Sequence, residues 1–368
     1  LNSNAKEPGF VMGGTIYVFA NVYPGGVAVT SDDRFEAPKA GSGYVTVNDQ
    51  KRLALTTKDS GKDASNPSTA EEGSKYEYYV GEFQEGRANV MSMTDNSATD
   101  YQVDQWYNLY KKNSSNGYDA LLQDQLGTAD GETAKKVQQN VFYADSDLHV
   151  YKTGYVMCVT SEDNGLTWSV PEILNPSLYE TEDTVITLSA GKGLKTSADR
   201  IVIPATIEKA DADASASMLW KCTTDESHGW HHADVPAISA EEGNSSPTWT
   251  RGGEIVELSK GHLRMFVRTG RTTVYYADAA RGLSEEEGEA SGNSDMFTFT
   301  APVSTASSIT ADAKITAINY SRQVNPGAEN AGKVILAAMP TGSGHTNGLL
   351  LTFEKNGGTD ENPTITRH

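Results

Sequence analysis

The run Ser161-Glu162-Asp163-Asn164-Gly165-Leu166-Thr167-Trp168 decides how this chain is read. It has the form S-x-D-x-G-x-T-W and follows an apolar stretch, Tyr155 to Thr160, that reads as a strand. Asp163 can accept hydrogen bonds from its own backbone in a tight turn, and Gly165 supplies the positive φ that a hairpin needs. Thr167 and Trp168 are then expected to open the returning strand, where a β-branched and an aromatic residue suit a half-buried sheet face. The plainest reading is an ordinary hairpin with a buried tryptophan. Five fixed positions behind an apolar strand favour a recurrent motif instead.

Echoes of the run occur elsewhere. Thr223-Thr224-Asp225-Glu226-Ser227-His228-Gly229-Trp230 follows the apolar stretch Met218 to Cys222 and ends on the same tryptophan, with Thr for Ser and the glycine displaced. Val27-Ala28-Val29-Thr30-Ser31-Asp32-Asp33 keeps the strand and the Ser-x-Asp only. The step from Ser161 to Thr223 is 62 residues and that from Ser31 to Ser161 is 130. Propeller blades recur every 40 to 50 residues or so, which leaves the longer gap room for an insertion.

The rest of the sequence agrees with an all-β chain. Short apolar or alternating runs, such as Arg200–Thr206, Glu254–Leu258, His262–Arg268 and Lys333–Met339, are punctuated by Gly, Asn, Asp and Pro. The one helical pattern, Ala120 to Lys136, is interrupted by Gly127 and Gly131. Residues 1–40 read as the first propeller strands, 41–145 as an inserted β-domain, and 146–368 as the remainder of the propeller. The insert carries Tyr76-Glu77-Tyr78-Tyr79-Val80 and the aromatic run Tyr101 to Tyr110, which suit either a small core or a surface that stacks on sugar rings.

Net charge is −19 from 30 basic and 49 acidic residues, a balance that repels nucleic acid and anionic membranes. No stretch reaches the length of a membrane span. Leu1 to Pro8 is polar and does not read as a signal peptide. Cys158 and Cys222 form no disulfide framework and read as two buried thiols. His228, His231 and His232 lack cysteine or acidic companions at ligand spacing, so they read as a solvated turn and no metal is expected. No phosphate loop, Ser/His/Asp set or dinucleotide motif stands out, and no cofactor is expected.

The S-x-D-x-G-x-T-W run resembles the Asp-box of sialidases, a structural motif at the blade rim. The resemblance extends along the chain in the family's order. Thr153 to Met157 leading into Ser161–Trp168, then Gly191-Lys192-Gly193 with Asp199 to Pro204, then Glu254 to Leu258 with Gly261 to Arg268, are similar to stretches of bacterial sialidases of glycoside hydrolase family 33. The resemblance implies a six-bladed sialidase-like β-propeller, incomplete at its C-terminus, with an inserted small β-domain. It also implies a secreted or cell-surface protein acting on or binding terminal sialic acids of glycoconjugates. In this reading Ser161, Asp163, Gly165, Thr167, Trp168, Thr223, Asp225 and Trp230 are structural.

Such enzymes hold the sugar carboxylate with three arginines, whose planar forks bind it bidentately. They cleave through a tyrosine nucleophile assisted by a glutamate, with retention. Arg268 matches one arginine, and Arg251 and Arg271 add a local basic patch; a salt-bridged surface arginine is the bland alternative. Strand alternation places Arg264, Phe266 and Arg268 on one face and Leu263, Met265 and Val267 on the other. Other positions depart from the pattern. Lys6 and His345 stand at the positions of the other two arginines, and the glutamate falls on Gly252 unless a two-residue slip brings in Glu254. Tyr23-Pro24-Gly25-Gly26 stands where the acid/base aspartate is expected, and no tyrosine follows the last strand. Two functions follow from this: an exo-α-sialidase, or a catalytically degenerate relative that binds glycan or a protein partner.

Overall fold

A computed structural model describes residues 10–12, 14–29, 32–57, 76–125, 135–179, 184–189, 193–197, 199–209, 214–223, 229–238, 250–259, 262–269, 275–281, 297–304, 315–324, 333–340, 349–356 and 359–367, the first and the last four ranges as backbone only. The described chain is strand almost throughout, with one short helix, Asn175–Leu178. It divides into two compact units: residues 1–18, 160–167 and 186–368, and residues 19–159 and 168–185.

In the first unit, antiparallel sheets follow one another along the chain. Leu194–Lys195, Arg200–Lys209, Ser215–Cys222 and His231–Asp234 pair in that order. Arg251–Ser259, His262–Arg268, Tyr275–Arg281 and Phe297–Phe299 form the next sheet, with Val303–Ser304 also on Tyr275–Arg281. Ile315–Val324, Lys333–Pro340, Leu349–Asn356 and Thr359–Arg367 form a four-stranded sheet after it. Arg251–Ser259 lies against Arg200–Lys209 on one side and Ile315–Val324 on the other. Successive up-and-down sheets standing side by side in chain order are the arrangement of a β-propeller.

Alternation explains how these sheets stack. Leu263, Met265 and Val267 are fully buried in a core with Val202, Met218 and Trp220 of the preceding sheet. Trp220 packs edge-on to Phe297 at 5.4 Å and stacks on His231 at 4.8 Å. Arg264, Phe266 and Arg268 take the opposite face, as the period of two requires. Both cysteines are free and buried; Arg200 Nη1 donates to Cys222 Sγ at 2.9 Å.

The second unit is built on a meandering sheet in which Leu148–Val150, Gln50–Thr57, Tyr78–Gln84, Arg87–Ser92, Ala98–Asp104, Leu109–Lys112 and Tyr118–Ala120 pair in that order. Its core joins Leu55, Val90, Val103, Leu109, Leu148 and Tyr155. The helical expectation over Ala120 to Lys136 is not met at its two described ends; residues 126–134 lie outside the described residues. Leu122–Asp124 is a strand paired with Lys136–Gln138, because the backbone of Leu121 and Gln139 is already drawn into the sheet through Leu109. The short helix Asn175–Leu178, which the sequence reading did not contain, follows from Pro176 in its first turn. Asn175 is buried at its start: Nδ2 donates to Ser42 O and Gly154 O, and Oδ1 accepts from Val156 N.

Candidate functional site

Asp163 is the hub of the turn at 161–167. Its Oδ1 accepts from Ser161 Oγ at 2.9 Å and Thr167 N at 2.8 Å, and its Oδ2 accepts from Thr167 Oγ1 at 2.6 Å. Ser161 Oγ accepts in turn from Gly165 N at 2.9 Å. Asn164 and Gly165 both take positive φ, at 62° and 86°, which an Asn-Gly pair adopts with little strain. The bonds from Thr167 pull the Asp163 pKa from 3.8 down to about 2. The turn is wider than expected, however. The returning strand begins at Glu172, and Trp168 is 39% exposed where packing between strands was anticipated. The side-chain bonds of Asp163 and Ser161 replace the ladder that would otherwise have started at Thr167.

The second echo is described only at its ends. Thr223 N and Oγ1 both donate to Asp199 O, at 2.9 and 3.0 Å, and Trp230 is buried. Asp225 lies outside the described residues, as do Lys6, Arg271 and His345.

Arg251, Glu254 and Arg268 come together on one hairpin. Arg251 and Arg268 are direct cross-strand partners, and Glu254 faces Phe266, with an irregular register between Arg251 and Glu254. Opposite residues in an antiparallel pair project to the same side, so all three share the face turned away from the Leu263–Met265–Val267 core. Glu254 is almost completely buried. Arg268 Nε donates to Gly252 O at 3.3 Å. Burial, then the neighbouring Arg251 charge, lower the Arg268 pKa from its usual value. Arg251 is itself paired with Glu208, a partner the sequence reading did not anticipate because it lies on another sheet.

Gly252 explains the departure at the glutamate position. Its N–H donates to Thr206 Oγ1 at 2.9 Å, which draws its backbone onto the strand Arg200–Lys209. A Cβ built there would overlap Ser189 Oγ and the Ala205 carbonyl oxygen. Position 252 has no room for any side chain. The nearest acidic residue along the strand is Glu254.

The sequence reading also passed over the anchor beneath this face. Arg264 Nε and Nη2 donate to Asp278 Oδ1 and Oδ2 at 2.6 and 2.7 Å, and its guanidinium lies 4.1 Å from the Tyr276 ring centre. His262 Nε2 is 3.5 Å from Asp278 Oδ2. Burial works to raise the Asp278 pKa, but the bonds from Arg264 and His262 outweigh it and hold the carboxyl below its ordinary value.

No family model matches the chain. Among curated proteins it is 24% identical over 341 residues to the anhydrosialidase of Macrobdella decora, covering 91% of this chain and 38% of that protein. It is 26% identical over 260 residues to sialidase B of Streptococcus pneumoniae, covering 70% of this chain and 32% of that one. The chain therefore spans well under half the length of these relatives. Its fold is similar to the intramolecular trans-sialidase of Ruminococcus gnavus in complex with oseltamivir carboxylate, at a TM-score of 0.65 and 21% identity, over 95% of this chain and 64% of that one. The leech intramolecular trans-sialidase complexed with 2,7-anhydro-Neu5Ac gives a TM-score of 0.65 at 18% identity, over 96% of this chain and 46% of that one. The chain is thus similar in sequence, along most of its length, to sialidases, and its all-β propeller fold is the fold of solved sialidase structures.

Proposed function

We propose that this chain recognises terminal sialic acids of glycoconjugates through Arg268 and that, taken alone, it does not turn them over. The observation that carries the reading is the juxtaposition of Arg268 and Arg251 across one ladder, beside a Gly252 with no space for a side chain. Arg268 is largely desolvated beside Arg251, whose charge meets Glu208, and its guanidinium is a fork of the kind that binds a carboxylate bidentately. The same geometry denies the strand a carboxylate at position 252, where the family's glutamate aligns. Glu254 reaches the same face but is buried one bulge further along. Lys6 and His345 would complete the anion site in this reading, and residues 41–145 would form a module inserted in the propeller. The site would work on glycans presented outside the cell.

The test uses the chain as it stands, with 3′-sialyllactose in calorimetry and a fluorogenic sialoside in a release assay. We expect sialyllactose binding that Arg268→Ala abolishes and Arg268→Lys weakens, with no released product. The alternative, a working sialidase, is favoured by the names of its relatives. It would show as release of sialic acid or its 2,7-anhydro form, lost in Arg268→Ala, and that result would overturn the non-catalytic reading.

A further inference from the structure

We infer that Glu208 is a selectivity residue of the Arg251–Arg268 pair: it is the chain's own carboxylate on Arg251, and an incoming carboxylate takes its place there. This rests on the anion site proposed above and gives a role to a side chain that reaches it from a neighbouring sheet.

Strand geometry fixes which groups meet. Thr206 and Glu208 lie two apart on Arg200–Lys209, so they project to the same face. They engage consecutive residues of the next sheet. Thr206 Oγ1 accepts from Gly252 N at 2.9 Å, and Glu208 Oε1 accepts from Arg251 Nη1. Arg251 is in turn the cross-strand partner of Arg268. Glu208, Arg251 and Arg268 therefore form a series of charges over three strands: negative, positive, positive. The series runs from water inward. Glu208 and Arg251 are 44% and 39% exposed, while Arg268 is largely desolvated.

Exposure decides which ion pair can exchange its partner. Arg264 and Asp278, on the sheet of Arg268, are 2% and 19% exposed, and breaking that pair would strand a charge away from water. The Glu208–Arg251 pair is screened by solvent and contributes little, so Glu208 can swing into water at small cost. A ligand carboxylate that replaces it meets two guanidinium forks side by side and gains more than Glu208 does on one. A point anion such as chloride cannot span two forks and gains less. Glu208 thus guards Arg251 against ambient salt and yields to a planar carboxylate.

The experiment follows the Arg251 and Arg268 Nε–H resonances by NMR while the whole chain is titrated with acetate, chloride and 3′-sialyllactose. Glu208→Gln keeps the size and a neutral acceptor for Arg251 but removes the charge, and Glu254, buried on the same face, is the same in every variant. Glu208→Gln should tighten acetate and 3′-sialyllactose binding about fivefold and chloride binding by more, and Glu208→Asp should stay within about twofold of the native chain. In an Arg251→Ala background the Glu208→Gln gain should fall below about twofold, because the shared partner is gone. Unchanged or weaker acetate binding in Glu208→Gln overturns the inference, weaker binding making Glu208 the holder of Arg251. A full gain that persists in Arg251→Ala overturns it too, since a distant field would then suffice. If 3′-sialyllactose binds through Arg268 but ignores Glu208→Gln, the sialic acid reading stands and this one falls. Acetate binding that tightens in Glu208→Gln, with no 3′-sialyllactose response, does the reverse. No response at Arg268 to any of these anions, in either protein, overturns both.

Discussion

Arg264 and Arg268 stand four residues apart on the same face of the same strand, and the fold treats them in opposite ways. Arg264 is 2% exposed and meets Asp278 with both arms of its fork, over an aromatic face. Arg268 is bonded through Nε to a backbone carbonyl and has a second arginine as its ladder partner. One charge is neutralised at the cost of desolvating two ions. The other is partly desolvated and set beside its own kind, so its pKa falls. Arg264 is surrounded by the partners that its charge needs; under the proposed function Arg268 is the arginine that meets a carboxylate.

The largest effect should come from breaking the neutralised pair. Arg264→Ala leaves the Asp278 carboxylate facing a low-dielectric interface with only His262 beside it. We expect a loss of about 3 kcal/mol, the lower end of the range for halving a buried pair, because Asp278 keeps some exposure. Replacing both partners, Arg264→Met with Asp278→Leu, should recover much of it. Arg268→Ala should cost less than about 1 kcal/mol by the same urea titration. Equal losses at the two arginines would erase the distinction between them.

A smaller effect tests the neighbour that separates Arg268 from a carboxylate. Gly252→Ala must displace Ser189 or lift the strand from the Ala205 carbonyl, and overpacking of this kind costs about 1 to 3 kcal/mol. Ser189→Gly should relieve only part of that, since the carbonyl stays. Gly252→Glu should be worse than Gly252→Ala and should restore no sialoside release. A stable Gly252→Glu chain would show that the strand can retreat, and would reopen the catalytic reading at that position.

Alternation along His262–Arg268 was readable from residue types alone, because a period of two needs no partner to interpret it. So was the turn at Gly165, whose positive φ belongs to glycine; that Asn164 shares it is seen only in the structure. The Arg264–Asp278 pair was not, since the two are joined by a register between strands that no local pattern states. Gly252 read only as the place where the glutamate falls; the approach of Ser189 and Ala205 shows why it is glycine. The ends of Ala120 to Lys136 were misread for the same reason, the pairing of Leu122–Asp124 with Lys136–Gln138 having overruled local spacing. The aromatic run from Tyr101 to Tyr110 left core and surface open. The structure answers residue by residue, with Tyr107 wedged between rings and Trp106 outside.

The smallest effect sets Asp163 against Asp278, two carboxylates whose pKa values are both depressed, one on an exposed turn and one in a partly buried pair. A depressed carboxyl stabilises the fold fully above its unfolded pKa, near 3.8, and loses that contribution as pH falls through its folded value, here about 2 for Asp163. Acidification from pH 4 to about 1 should therefore release the Thr167 amide and hydroxyl, read as a shift of the Thr167 amide resonance with its midpoint near the Asp163 pKa of about 2. Because the turn is solvated, the global unfolding midpoint should hardly follow that resonance. Asp163→Asn should abolish the pH-dependent shift while retaining a neutral acceptor for Thr167, and should leave the Arg264–Asp278 contribution untouched. If instead the whole molecule unfolds with the Thr167 signal, the turn is a cooperative part of the fold, and exposure is no guide to which of its charges hold it together.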